Sequence, residues 1–109
     1  MKRKVYVAGP YTLPDPCINT RSALLVGDKL WALGLIPYVP HVTHMWHLIS
    51  PHPYQDWLEY GIEWLKSCDA LYRFPGESKG ADIEVEYAKQ NNIPVFYNIN
   101  DLKSYYLLN

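Results

Sequence analysis

Cysteine is scarce in this chain of 109 residues: Cys17 and Cys68 are its only two, and they show neither metal-ligand spacing nor a framework pattern. That excludes a disulfide-stapled scaffold and makes a reduced, cytoplasmic protein the expectation. Long apolar runs are missing as well. No stretch approaches the ~18 residues of a membrane span. The apolar segment after the basic Met1-Lys2-Arg3-Lys4 ends at Gly9-Pro10, too short for a signal-peptide core. Neither charge dominates, since ten Lys and Arg against eleven Asp and Glu leave a net charge of −1. Without a basic field to grip a phosphate backbone, no nucleic-acid polymer and no membrane is an expected partner. Internal repeats and low-complexity linkers are absent, and the length suits one domain over residues 1–109.

Aromatic residues, by contrast, are plentiful. Ten Tyr and four Trp in a chain that is 49% hydrophobic exceed what so small a core can hide. Some are expected to line a ligand cleft or the interface of a homodimer or higher homo-oligomer.

The hydrophobic pattern alternates between strand and helix. Lys4-Val5-Tyr6-Val7-Ala8 reads as a buried strand closed by Gly9-Pro10. Residues 19–33 carry Ala23, Leu24, Gly27, Leu30 and Trp31 at helical spacing, with Asn19 or Thr20 as cap and Gly34 as stop. Leu35-Ile36-Pro37-Tyr38-Val39 is a second strand, placed at a sheet edge by Pro37. Residues 40–53 hold three prolines and all four histidines without a period, and are expected to form a long loop. Residues 54–67 give the clearest helix, striped by Tyr54, Trp57, Leu58, Gly61, Ile62 and Leu65. A third strand over 70–74, a loop over 75–80, a helix over 81–90 and a strand over 93–97 follow. Asp101 is placed to cap a last short helix.

This β-α-β-α-β-α-β-α order, with right-handed crossovers, builds a parallel sheet covered by helices on both faces. Ligands bind such sheets beyond the carboxyl ends of the strands. The candidate rim is therefore residues 9–17, 40–53 and 75–80.

Chemistry concentrates in the last of these. Ser78-Lys79-Gly80 runs straight into a helix, so free amides, a hydroxyl and an ammonium converge where an anion can sit. Glu84 follows early in that helix, where the positive helix end favours its ionised form, as a nucleophilic carboxylate requires. Equally, Glu84 can be a plain stabilising acid of the first turn. Glu86 is about 200° around the helix and cannot share its site. Asp69 is either a turn residue or a partner that orients a nucleophile or ligand hydroxyl. The histidines at 41, 44, 47 and 52 lack the carboxylate or cysteine company of a usual metal site. They read rather as a polar–aromatic pocket wall with Trp46, or as surface residues. No metal and no cofactor is expected. Cys17 has no paired histidine context for a nucleophile. Tyr11 and Trp46, both at the rim, are the candidates for stacking on a base.

Three segments together resemble the nucleoside 2-deoxyribosyltransferase superfamily, which includes the 2′-deoxynucleoside 5′-monophosphate N-glycosidases. They are Val5-Tyr6-Val7-Ala8-Gly9-Pro10-Tyr11, Ile62-Glu63-Trp64-Leu65-Lys66-Ser67-Cys68-Asp69, and Gly80-Ala81-Asp82-Ile83-Glu84-Val85-Glu86-Tyr87-Ala88. The small, often phage-associated members resemble the chain most. The resemblance implies a single Rossmann-like (flavodoxin-like) three-layer α/β domain with a four-stranded parallel sheet, order 2-1-3-4. It implies a small-molecule nucleoside or nucleotide as substrate and Glu84 as the residue that attacks the anomeric carbon. A glycosyl-enzyme then passes the sugar to another base or to water, as in retaining glycosidases. The family's aspartate before the third strand falls on Asp69, which would help protonate the leaving base or hold the sugar. Gly9, Pro10 and Tyr11 would border base or sugar. Six positions before the glutamate, where transferases tend to carry an aspartate and the nucleotide hydrolases a serine for the 5′-phosphate, this chain has Ser78. That pattern, with the adjoining Lys79 and Gly80, points to a 5′-monophosphate.

The chain departs from the hydrolases at Gly61, where they carry an aspartate. In the family a neighbouring subunit completes the site, and Tyr105-Tyr106-Leu107-Leu108 are candidates for such an interface. His44 and Trp46 are the wall residues expected to touch substrate. The competing readings are a nucleotide-sequestering or sensing module without turnover, and a metal-dependent enzyme built on the histidine loop.

Overall fold

The computed structural model describes residues 2–109. Its elements run β1 (Lys4–Ala8), α1 (Pro16–Ala32), β2 (Ile36–Tyr38), a 3₁₀ turn (Pro40–Val42), α2 (Thr43–Ile49), α3 (Tyr54–Leu65), β3 (Ala70–Arg73), α4 (Lys79–Gln90), β4 (Val95–Phe96) and α5 (Ile99–Tyr106). The four strands form one parallel sheet in the order β2-β1-β3-β4, the expected topology. Pro37 indeed lies on an edge strand, where a missing ladder donor is harmless. Among the described residues no helix is long and apolar enough to cross a membrane.

Strand alternation divides the core into two layers. Val5, Val7, Ala70 and Tyr72 face one side with Ala23 and Leu30 of α1 and Leu102 of α5. Tyr6, Ala8 and Leu71 face the other with Leu65 of α3 and Ala81, Val85 and Ala88 of α4. A period of two on the strands and helices on both faces produce this three-layer arrangement directly.

The local signals differ from expectation in several places. Helix α1 starts at Pro16, not Asn19, because Asp15 accepts from Ile18 N–H (2.8 Å) and Pro16 has no amide to leave unpaired. Asn19 is instead buried, and its amide donates to the carbonyls of Tyr11 and Leu13 (2.9 Å each), folding the loop after β1 onto the helix. The expected loop 40–53 contains the 3₁₀ turn and helix α2. Its prolines flank the helix without interrupting it, and the Trp46 ring packs edge-on against Trp57 and Tyr60 of α3 at centroid distances of 4.9 and 5.3 Å. Tertiary packing of this kind sustains a two-turn helix that lacks a period of its own. Finally, α5 is capped by Asn98, which accepts from the Asp101 amide; Asp101 sits inside the helix.

At the C-terminus, Tyr106 and Leu108 pack on the chain's own core, with Arg3 stacked over the Tyr106 ring at 4.3 Å. Tyr105 and Leu107 are exposed.

Candidate active site

Beyond the carboxyl ends of β1, β2 and β3 opens a cleft of about 920 Å³, lined by residues 9–14, by side chains from the segment 40–47, and by residues 75–81, with Tyr54, Trp57 and Leu58 of α3 along one wall. Glu84 and Tyr6 also line it. Of the sequence candidates, Gly9, Pro10, Tyr11, His44, Ser78, Lys79, Gly80 and Glu84 are all brought to this one cleft.

Glu84 is only 9% exposed, six residues into α4, and accepts a hydrogen bond from the buried Tyr6 hydroxyl. Burial drives its pKa up from 4.5 to about 7, opposed by the Tyr6 hydrogen bond and by the charge of Arg73. Burial thus works against the expected preference of the helix end for the ionised form, and a pKa of about 7 leaves both forms present near neutral pH. Dipole stabilisation fades within the first turn, and desolvation outweighs what remains of it. A carboxylate so perturbed inside a cleft makes Glu84 the candidate functional group of this site. The Tyr6 hydroxyl is itself pushed well above the usual tyrosine range, first by burial and then by Glu84, so it stays protonated as the donor. Removing it deprives the carboxylate of a bond that favours its charged form. We expect Tyr6→Phe to raise the Glu84 pKa above about 7, moving any activity that needs the carboxylate to higher pH. A pH–rate profile of both proteins checks this, and a limb moved to lower pH contradicts it.

Helix α4 begins one residue after Ser78, so Lys79 and Gly80 are its first turn and not a loop. Ser78 Oγ accepts from the Ala81 amide (3.1 Å) as N-cap, which leaves its own hydrogen for another acceptor. Amides of the first turn have no intrahelical partner. With the Lys79 side chain, this corner favours an anion. Gly80 lets the Tyr54 hydroxyl approach the helix start, since a Cβ there would lie 2.4 Å from it and push that side chain aside. Arg73 secures the approach to the helix, donating to the carbonyls of Phe74 (2.5 Å) and Gly76 (2.7 Å).

The wall after β2 carries three histidines at a spacing of three. His41 is buried, donates from Nε2 to the Pro10 carbonyl (2.9 Å), and has its pKa lowered by burial. His44 Nδ1 is paired with the Tyr11 hydroxyl, joining the first loop to α2. His47 Nδ1 is paired with Trp57, and His52 Nδ1 with Asp56 at 3.0 Å. Each ring is thus engaged separately, and among the described residues no group of three His, Cys, Asp or Glu side chains converges as a metal site.

Two candidates are not at the cleft. Asp69 lies at the amino end of β3, where its carboxylate accepts from the Lys4 amide (2.8 Å). Because cleft and Asp69 occupy opposite ends of a four-residue strand, roughly 13 Å of backbone separates them. The assistant role assigned to Asp69 is corrected accordingly. Trp46 is also outside the cleft lining, its ring packed edge-on against Trp57 and Tyr60 of α3. Conversely, sequence reasoning missed Tyr6 as a site residue. A tyrosine in an otherwise aliphatic buried strand needs a partner for its hydroxyl, and that was the available signal. Gly61 also gains a meaning: a Cβ there would meet the Tyr6 hydroxyl at 2.5 Å and Glu84 Oε2 at 3.1 Å. A side chain at this position would have to displace the Tyr6 hydroxyl from the carboxylate.

The chain superposes on the 2-desoxiribosyltransferase from Leishmania mexicana with a TM-score of 0.61 and 21% sequence identity, covering 85% of this chain and 61% of that one. At that identity the likeness establishes a shared fold, and the chain spans under two thirds of that protein's length. No curated protein matches the sequence. Residues 3–98 match the family described as Domain of unknown function (DUF7768), and the chain belongs to that family.

Proposed function

We propose that the chain cleaves the N-glycosidic bond of a (2′-deoxy)nucleoside 5′-monophosphate or nucleoside, by transfer or hydrolysis, through a glycosyl-enzyme on Glu84. The observation that carries this reading is the Glu84 carboxylate, buried and oriented by Tyr6, in a cleft that also holds the Ser78-Lys79-Gly80 helix start. A 5′-phosphate on the amides of Lys79 and Gly80, with donation from Ser78 and the Lys79 ammonium, fits that corner. Glu84 then faces the anomeric carbon of the sugar. Attack by its oxygen expels the base with the bonding electrons, and water or a second base displaces the glutamate in turn. The fold shared with a 2-desoxiribosyltransferase is in keeping with this chemistry. No metal or cofactor enters it. Self-association is part of the same reading, supported by apolar side chains left exposed on α2, among them Met45, Leu48 and Ile49.

A second reading, a module that sequesters or senses a nucleotide, draws on the remoteness of Asp69 and on Gly61, so that neither position supplies an acid beside Glu84. Base release from a panel of nucleosides and 5′-monophosphates, read by chromatography, separates the two. Turnover supports the enzyme; binding of monophosphates without release of any base supports the module.

The phosphate corner has its own test. Ser78→Asp keeps a good helix cap but sets a negative charge where the phosphate would sit. We expect it to lower kcat/KM for monophosphates by roughly 100-fold while sparing nucleosides, since facing like charges cost several kcal/mol. An equal effect on both substrate classes contradicts the phosphate assignment.

A further inference from the structure

We propose that His47 is the hydrogen-bond donor to the departing base, its Nε2–H stabilising the negative charge that gathers there as the C1′–N bond breaks. The proposal rests on the glycosidic reading above. It starts from what surrounds the ring. His47 Nδ1 accepts from the Trp57 indole N–H (2.8 Å) and from the His52 amide (3.3 Å). Both partners can only donate, so Nδ1 holds a lone pair and the ring proton is on Nε2. His47 lines the cleft, and Nε2–H is its one polar group left for a ligand.

Three neighbouring side chains are committed elsewhere. His41 gives its Nε2–H to the Pro10 carbonyl, Thr43 its hydroxyl to the Pro40 carbonyl (2.8 Å), and Asn19 both amide hydrogens to main-chain oxygens. His44 Nδ1 and the Tyr11 hydroxyl share one hydrogen bond, which leaves that pair one further hydrogen at the first loop.

Sheet order orients the substrate. Along the rim β2-β1-β3, the His47 segment follows β2 and the anion corner follows β3. The Tyr6 side chain of β1, bonded to Glu84, lies between them. A nucleotide with its phosphate at Ser78 and C1′ at Glu84 sends its base toward β2 and His47. The chemistry requires help at that end. Asp69 is at the amino end of β3, opposite the cleft, and a Cβ at Gly61 would already meet Tyr6 and Glu84.

The step balances without proton loss from His47. Glu84 oxygen bonds to C1′, the C1′–N electron pair goes to the base, and the imidazole keeps its hydrogen while the hydrogen bond strengthens. The expelled base then takes a proton from water. Such a donor, aimed where charge develops, is typically worth 10²–10³ in rate.

The test compares base release from 2′-deoxyguanosine 5′-monophosphate and from its N7-methyl derivative, whose base departs neutral and needs no such donor. For His47→Leu we expect kcat on the unmethylated nucleotide to fall about 100-fold, with KM within about threefold and little change on the methylated one. His47→Gln, which keeps an N–H near the Nε2 position, should recover about a tenth or more of the lost rate. Equal loss on both substrates, or loss on neither, overturns the assignment of His47. Failure of the wild type to release either base overturns the glycosidic reading beneath it instead. Imidazole ¹⁵N spectra of the wild type provide a check free of substitutions: a His47 ring protonated at Nδ1 is incompatible with the proposal.

Discussion

Glu84→Gln is expected to abolish base release, lowering kcat by at least roughly 10³-fold, while leaving affinity for a 5′-monophosphate within a few-fold of wild type. The amide keeps the shape of the carboxylate and can still accept from Tyr6, so the cleft is preserved. What it loses is an oxygen able to bond C1′. Single-turnover release of base, paired with calorimetric binding, separates the two quantities. A variant that retains more than about a tenth of the wild-type rate removes Glu84 from the reaction.

The same substitution should stabilise the protein, and by an amount that depends on pH. In the folded chain Glu84 has its pKa raised to about 7 against 4.5 as its ordinary value. Between those values the folded state holds a proton that the unfolded state has released, so stability falls as pH rises across the window. At about 1.4 kcal/mol per pKa unit, the accumulated loss above pH 7 is about 3 kcal/mol. Glutamine stays neutral throughout. Glu84→Gln should therefore match wild type near pH 4 and exceed it by about 3 kcal/mol at pH 8. Urea unfolding at the two pH values checks this, and a variant less stable than wild type at pH 8 contradicts the burial account. Stability sacrificed at one buried group is the familiar signature of a functional site.

The sheet was legible because its signals are local. Each strand is a short apolar run between turn residues, and alternation with helices leaves few topologies open. The gathering of Ser78, Lys79, Gly80 and Glu84 with Gly9, Pro10 and Tyr11 followed from the same topology. What was not legible depends on contacts distant in sequence. Helix α2 has little amphipathic period and is stabilised through Trp46 packing on α3, which no window of residues 40–53 reveals. Glu84 sits early in a helix, which argues for charge. Burial under Tyr6, from a strand 78 residues away, argues against it and prevails. Asp69 is the instructive error. A residue immediately before a parallel strand lies at its amino end, away from any ligand at the carboxyl rim, so strand polarity alone excluded it.

The most direct measurement is mass spectrometry of the wild-type protein rapidly quenched during turnover of a 2′-deoxynucleoside 5′-monophosphate. The account predicts a population carrying one added deoxyribosyl 5-phosphate, on the peptide that contains Glu84 and absent from Glu84→Gln. Base released with the adduct on another residue, or with no adduct at any quench time, would contradict it.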